Sequence, residues 1–381
     1  MTSVSEHSPT GDWDIGFRQF SIVDEPGGLA VRFPEAPDGF EGRLRQVEPD
    51  RYVIEGGPYP GAELVLGADG WSIGGVLPLA RIDGPAAAAP GSGLIAPGLD
   101  LEAEEVEACQ AAWARLAHPS HHSDPDLGGV VIHRFIQWLM LEERVIFHGS
   151  NNRDLTVMTP IRRSMEIMNL SGRGNLGSVY GTHDGLWSMF FAVVDRDRLR
   201  GSIRNGVDRH FSRSDEWVDL YHFSVHHEIL GQRPFTTGAL YLMPRDRFER
   251  VPLYPGGPPS NEWACSQAVV PLGRLIVRPE DFPFLDDIGG HDDGPLIDFE
   301  LVAESVYQGV VSAQLVEQGI EIVTTTDPAT VARFVELSEQ FFPDVRRSIV
   351  PHPTGTAITM TGPEAFQHGI RRRFADLTTP P

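Results

Sequence analysis

The feature that most restricts this chain is the period of its apolar residues. Up to about residue 83 they alternate with polar ones in short runs, and each run is cut by Pro or Gly. Gly28 to Phe33, Arg51 to Glu55 and Glu63 to Leu66 are examples. A period of two sends successive side chains to opposite faces, so these runs read as half-buried antiparallel strands. A small β-rich domain over 1–83 is predicted. The Gly-, Pro- and Ala-rich stretch that opens at Gly84 reads as a linker over 84–98.

The period then changes. Leu101 to Leu116 has Glu in its first turns, which complements the positive end of a helix, and an apolar stripe through Val106, Ala111, Trp113 and Leu116. Val130 to Glu143 places Ile132, Phe135, Ile136, Leu139 and Leu141 near helical spacing. These helices make up a segment over 99–143. The loop between them, with His121 and His122, reads as solvated. Strands with short helices return over 144–285. The acidic, Gly-rich stretch from Asp286 to Gly294 lacks the spaced oxygen ligands of a calcium loop and reads as a solvated boundary. An α/β extension over 286–381 is predicted. It has a strand at Ile320 to Thr324, a helix at Pro328 to Phe341 capped by Thr326 or Asp327, a strand at Thr356 to Thr361 and a last helix at Pro363 to Phe374.

Composition removes several function classes. The formal net charge is −22, which repels a phosphate backbone and argues against broad nucleic-acid affinity. Two cysteines, Cys109 and Cys265, cannot build a Cys-rich zinc site and suit a reducing compartment. All 31 basic residues are arginine. Without lysine, P-loop and kinase chemistry and Schiff-base catalysis are excluded. No run of residues has the apolar length of a membrane span, and Met1 to Trp13 lacks the pattern of a signal peptide. A cytosolic protein with no membrane partner is expected.

Three motifs carry chemistry. In Val145-Ile146-Phe147-His148-Gly149-Ser150 an apolar strand ends in a His-Gly-Ser group. The glycine admits a ligand close to the backbone, and its neighbours offer directed hydrogen bonds. In Gly177 to Thr182 a strand carries Tyr180, and the following helix carries Ser188 and Phe191. Tyr180 and Phe191 have the character of two walls of a slot for a flat ring. In Asn261-Glu262-Trp263 a glutamate heads a strand behind a Pro/Gly-rich loop. Each motif alone also reads as ordinary core or surface.

In this order and at these intervals, the motifs resemble the catalytic domain of the ADP-ribosyltransferase superfamily, in the His-Tyr-Glu branch shared by diphtheria-type toxins and poly(ADP-ribose) polymerases. The resemblance covers about residues 144 to 284. Three positions depart from it: Phe191 stands where the polymerases have a ring-stacking tyrosine, Trp263 replaces the tyrosine after the glutamate, and Ser260 stands where the arginine- and asparagine-modifying toxins commonly have an acidic or amide residue. The resemblance implies an α+β fold with a split β-sheet core and short helices. It implies NAD as the substrate, with no metal. Glu262, His148 and Tyr180 would be catalytic. His148, Gly149, Ser150, Tyr180, Ser188 and Phe191 would hold the dinucleotide. Cleavage of the nicotinamide–ribose bond passes through an oxocarbenium-like transition state. Glu262 would stabilise that cation.

The acceptor is not specified: a protein, a nucleic acid, a small molecule or water would serve. Nothing resembles the regulatory helical domain of the chain-forming polymerases, so transfer of single units is expected. Ser260, two before the glutamate, is neither Gln nor Glu, which argues against arginine as acceptor. On this fold the loop from Asp246 to Ser260 would contact the acceptor, making Arg245, Arg247, Phe248, Tyr254 and Ser260 the recognition candidates. A non-catalytic binding module is the reading from another class. A fourth reading, an RNA 2′-phosphotransferase, would need a set of His and Arg residues, and the spacing of Arg144, Arg153, Arg162 and Arg163 does not fit it. Alternation places His222, Ser224 and His226 on one strand face, where a structural role is expected rather than zinc.

Overall fold

The computed structural model describes residues 8–15, 18–68, 70–75, 77–116, 127–160, 177–211 and 216–362. The helix expected at Pro363 to Phe374, the loop holding His121 and His122, and Arg162 and Arg163 lie outside them.

The first ten strands are β1 (Gly11–Asp14), β2 (Gln19–Glu25), β3 (Gly28–Arg32), β4 (Gly42–Glu48), β5 (Arg51–Glu55), β6 (Gly57–Pro58), β7 (Glu63–Gly67), β8 (Gly70–Ile73), β9 (Leu77–Pro78) and β10 (Ala80–Arg81). All but β6 form one antiparallel sheet in the order β10-β1-β2-β3-β4-β5-β7-β8-β9. Phe20 and Ile22 on β2 show the alternation directly, buried between half-exposed neighbours. With Trp13, Ile54, Leu64 and Trp71 they make a core of their own.

The stretch expected as a linker is not free. It contains β11 (Leu94–Ile95), which pairs with a later strand. Helices α1 (Ala103–Leu116) and α2 (Ile132–Glu142) follow. On α1 the buried face is Cys109, Ala112 and Leu116, and Ala111 is exposed. On α2 Phe135, Ile136 and Leu139 are buried as expected, whereas Leu141 is 74% exposed. Both misplacements arise because a stripe read by eye tolerates a rotation of one residue, about 100° of helix.

The central region has β12 (Val145–Ser150), β13 (Val179–Thr182), α3 (Gly185–Val193), β14 (Ile203–Phe211), β15 (Trp217–His226), α4 (His227–Leu230), β16 (Gly238–Pro244), β17 (Glu249–Pro252), β18 (Pro259–Cys265), β19 (Gly273–Val277) and β20 (Gly289–His291). Six strands form one sheet, β17-β18-β13-β12-β16-β19. A second sheet runs β11-β15-β14-β6, and β20 joins β15 in parallel. The two sheets share one core, with α3 between them. Leu186, Met189, Phe190 and Val193 on α3 are fully buried, as a helix apolar on all sides requires.

The segment expected as a solvated boundary at residues 286–294 is partly ordered sheet. His291 and Asp293 are buried, and Asp293 accepts hydrogen bonds from Ser202 Oγ (2.6 Å) and His291 Nε2 (2.8 Å). Burial opposes ionisation of Asp293, but the bonds from His291 and Ser202 outweigh it and hold the carboxyl well below its usual range. Composition hid this because Gly289 and Gly290 read as loop.

The last unit comprises α5 (Gly294–Gln308), β21 (Val310–Val316), β22 (Gly319–Thr324), α6 (Pro328–Phe341), β23 (Arg346–His352) and β24 (Gly355–Thr361). Its sheet order is β21-β22-β24-β23, with a separate core around Val306, Ile320, Ile322, Phe334 and Ile358. Asp327 caps α6, accepting from the Thr330 amide at 3.0 Å. The whole is an α+β protein. No helix among the described residues is long and apolar enough to cross a membrane.

Two contacts lock the N-terminal sheet to the centre. Arg18, 4% exposed, donates from Nε to Glu35 at 2.8 Å and forms an ion pair with Asp208 on β14. Its guanidinium lies 4.9 Å from the Phe33 ring centroid. Tyr254, from the loop between β17 and β18, inserts into the N-terminal core, and its hydroxyl accepts from the Glu63 amide at 2.9 Å. Arg18→Ala would strand two carboxylates beside a buried gap. Urea denaturation should show a loss of roughly 3–5 kcal/mol; a loss below about 1 kcal/mol would mean that the pair is solvated.

Candidate functional site

The three sequence motifs fall on adjacent strands. His148 is on β12, Tyr180 on β13 and Glu262 on β18. β12 pairs with β16 over six residues, from Val145↔Pro244 to Ser150↔Ala239. Its other edge meets β13 at one register pair, Phe147↔Thr182. The strands fork beyond that pair, on the side of the His-Gly-Ser group. The imidazole of His148 bridges the fork: Nδ1 lies 2.7 Å from the Tyr180 carbonyl. A carbonyl only accepts, so Nδ1 carries the proton and Nε2 keeps its lone pair. Burial lowers the His148 pKa, more than the bond to Tyr180 raises it, so the ring is neutral.

Glu262 is half-buried and opposite Thr182. Two strand spacings, about 10 Å, separate its backbone from that of Phe147. By the pleat, Tyr180 and Glu262 share a face with Thr182, while His148 shares the other with Tyr241. The triad therefore surrounds the fork from both faces rather than lining one.

Helix α3 forms one wall. Asp184 caps it, accepting from the Trp187 amide at 2.8 Å. Gly149 packs directly on the helix: a Cβ there would stand 2.0 Å from the Ser188 carbonyl oxygen. The glycine is thus required by helix packing whatever else its backbone does. Ser188 is 2% exposed and donates from Oγ to the Phe147 carbonyl at 3.2 Å, clamping helix to strand. Its oxygen retains acceptor capacity. Phe191 is half-buried beside Trp187, with ring centroids 6.3 Å apart, and the Arg196 guanidinium lies 5.4 Å from its ring. Ser150 Oγ accepts from the Asn152 amide at 3.2 Å.

The second sheet closes the site. Trp187 Nε1 donates to Asn205 Oδ1, and Asn261 Nδ2 donates to the Val207 carbonyl, each at 2.7 Å. Asn261 of the glutamate motif thus fastens β18 to β14, a role that needs tertiary structure to see. Trp187, Arg196 and Asn205 were absent from the sequence-based set. Asp184 carried a legible signal, an N-cap residue just before an apolar helix.

The expected acceptor loop divides. Phe248 is 6% exposed in the core on the far side of the six-stranded sheet, and Tyr254 is 5% exposed in the N-terminal core. Buried in this way, Tyr254 presents no surface to an acceptor, and Phe248 shows only an edge. Their place in that loop was the ground for expecting recognition, and their side chains pack into cores instead. Ser260 Oγ donates to the Val251 carbonyl at 2.8 Å and accepts from the Glu262 amide at 3.1 Å, so it positions the glutamate. Arg247 is exposed. Arg245 lies over the Trp263 ring at 5.5 Å and pairs with Glu143 at 3.2 Å. With Arg144, Phe248 and Leu272 these residues line a groove of about 620 Å³. That groove is separate from the fork.

Two measurements test this geometry. Gly149→Ala should cost about 1–3 kcal/mol or more in urea denaturation, since backbone rather than a side-chain tip must move; no loss would mean that α3 shifts freely. Burial pushes the Asp184 carboxyl up to about 6, against the lowering by Trp187 and Tyr221. A raised carboxyl favours the folded state fully below its unfolded value near 4, and that contribution is lost as pH rises through 6. Asp184→Asn should therefore match the native protein at pH 4 and exceed it at pH 7.5 by on the order of 2–3 kcal/mol. A constant difference across that range would refute the shift.

No family model, no curated protein and no solved structure matches this chain.

Proposed function

We propose that this chain is an NAD-dependent mono-ADP-ribosyltransferase on an ADP-ribosyltransferase-like split sheet, with its reaction centre at the fork between β12 and β13. The observation that carries this reading is the fork itself. β12 and β13 share one register pair, a neutral histidine spans the opening, and Tyr180 stands on β13 with Glu262 on the adjoining β18.

A dinucleotide threaded into this opening would be reached from both faces. Phe191 and Tyr180 would flank the nicotinamide ring, Gly149 and Ser188 would meet its amide, and Nε2 of His148 would accept from a ribose hydroxyl of the adenosine half. Ser150 would assist at that end. As the bond from nicotinamide to C1′ breaks, its electron pair leaves with nicotinamide and positive charge develops on the ribose. The Glu262 carboxylate would stabilise that charge and orient the 2′-hydroxyl. Preorganised charge of this kind is commonly the largest single catalytic contribution. The acceptor then adds at C1′ and releases a proton. The net reaction is NAD plus acceptor giving ADP-ribosylated acceptor, nicotinamide and H⁺. Arg245 and Arg247 remain as residues able to meet an acceptor.

A second reading, an NAD glycohydrolase with water as acceptor, is favoured by one observation. The loop expected to grip the acceptor is pinned by Tyr254 in the N-terminal core. Nicotinamide release separates the two. Glu262→Gln should lower release about 100-fold or more, with NAD binding retained. Release that rises with added lysate supports transfer, and release indifferent to it supports hydrolysis. A native protein that folds and releases no nicotinamide would refute both.

A further inference from the structure

At the end of β15 the chain turns from strand into α4, and that turn sets two imidazoles side by side. His226 ends the strand, His227 begins the helix, and their ring centroids are 4.4 Å apart. β20 runs parallel to β15 with His291 opposite His226, which delivers the next residue, Asp292, to the same spot. One donor atom from each of His226, His227 and Asp292 lies within 4.8 Å of the others.

The pair has unmet bonding capacity. His226 is 4% exposed, yet its Nδ1 is buried with no hydrogen-bond partner. Its Nε2 meets Asp292 Oδ1 at 3.8 Å, beyond hydrogen-bond range. An ion at Nε2, the nitrogen nearer Asp292, would hold this imidazole in place. His227 is already oriented. Its Nδ1 lies 3.3 Å from the His291 carbonyl, so Nδ1 carries the proton and Nε2 presents a lone pair. A backbone acceptor behind a histidine is the usual support of a metal ligand.

We propose that His226, His227 and Asp292 form a site for a divalent transition metal of zinc's class. Two imidazoles and one carboxylate suit such an ion rather than magnesium or calcium, which take oxygen ligands. Bonds of about 2.0–2.1 Å in a tetrahedron set donors roughly 3.3 Å apart. The side chains must therefore close in modestly. Asp292, its side chain 82% exposed, accepts at Oδ1 from the Gly294 amide at 2.9 Å, so rotation of the exposed His227 ring and of the Asp292 carboxylate about that bond would supply the closure. Arg204 donates to the Asp292 carbonyl at 3.4 Å and is matched by Asp293 at 3.0 Å. A bound ion would fasten the end of β15 to the start of the C-terminal unit. This inference is independent of the proposed chemistry at the fork.

The test is calorimetric titration of chelator-treated full-length protein with zinc sulfate, using magnesium as control. The native chain, His227→Ala and Asp292→Asn are compared; both variants alter exposed side chains, and asparagine keeps an oxygen for the Gly294 amide that Asp292 Oδ1 accepts from at 2.9 Å. The expected result is one zinc bound at this site per chain and no magnesium, with affinity weakened at least about tenfold in each variant. Zinc should raise the melting temperature of the native chain but not of the variants. Absence of zinc uptake, or uptake unchanged in either variant, would overturn the proposal and assign any binding to other histidines.

Discussion

The central architecture depends on how closely α3 can approach the six-stranded sheet. Two glycines of the sheet set that distance. A Cβ at Gly149 would stand 2.0 Å from the Ser188 carbonyl, and one at Gly238 2.1 Å from the Ala192 carbonyl; Gly185, on the helix itself, likewise lets Ile136 of α2 close in, where a Cβ would stand 2.2 Å from its side chain. Backbone therefore meets backbone, and dispersion contacts accumulate at short range along the whole helix. The other side of α3 is then available to the second sheet, where Phe190 meets Phe223 with ring centroids 4.8 Å apart. One helix thus joins two sheets into one core. The fork at His148 opens at the edge of that contact.

The outer parts are tied to this centre by polar or aromatic contacts rather than by extended cores. Arg18 bridges the N-terminal sheet to β14, and Tyr254 enters that sheet from the loop before Glu262. Tyr254 lies against Gly74 and Gly257, where a Cβ would come within 2.6 Å of its ring. The N-terminal domain thereby fixes the strand that carries the candidate carboxylate. On the other side, His291 and Asp293 join β15 and Ser202 to the C-terminal unit through hydrogen bonds buried from water. Buried charge of this kind contributes definition of geometry more surely than net stability.

Much was legible in order along the chain. The strands at Arg51–Glu55 and Ile320–Thr324, the helices α1, α2 and α6, and the cap at Asp327 follow from local periodicity and end signals. The His-Gly-Ser, Tyr and Glu motifs were visible as strand patterns and fall on neighbouring strands, although Glu262 lies in the middle of β18 rather than at its head. α5 was hidden because Gly294 and Pro295 open it after an acidic run, and β20 because two of its residues are glycine. Phe248 and Tyr254 were read as surface aromatics because no local pattern distinguishes a loop residue that faces solvent from one that enters another domain's core.

The sequence by itself determined the α+β class, the absence of lysine and the residue types of the candidate groups around the fork. These depend on residue type and on interactions within a few positions of the chain. Only the tertiary structure decided which face each group occupies, that β12 and β13 part after one pair, that Asn261 and Tyr254 are fasteners, and that Asp292 meets His226. Those outcomes come from contacts between residues tens to hundreds of positions apart. Such pairings are selected by the summed burial of the whole core, which no local window contains.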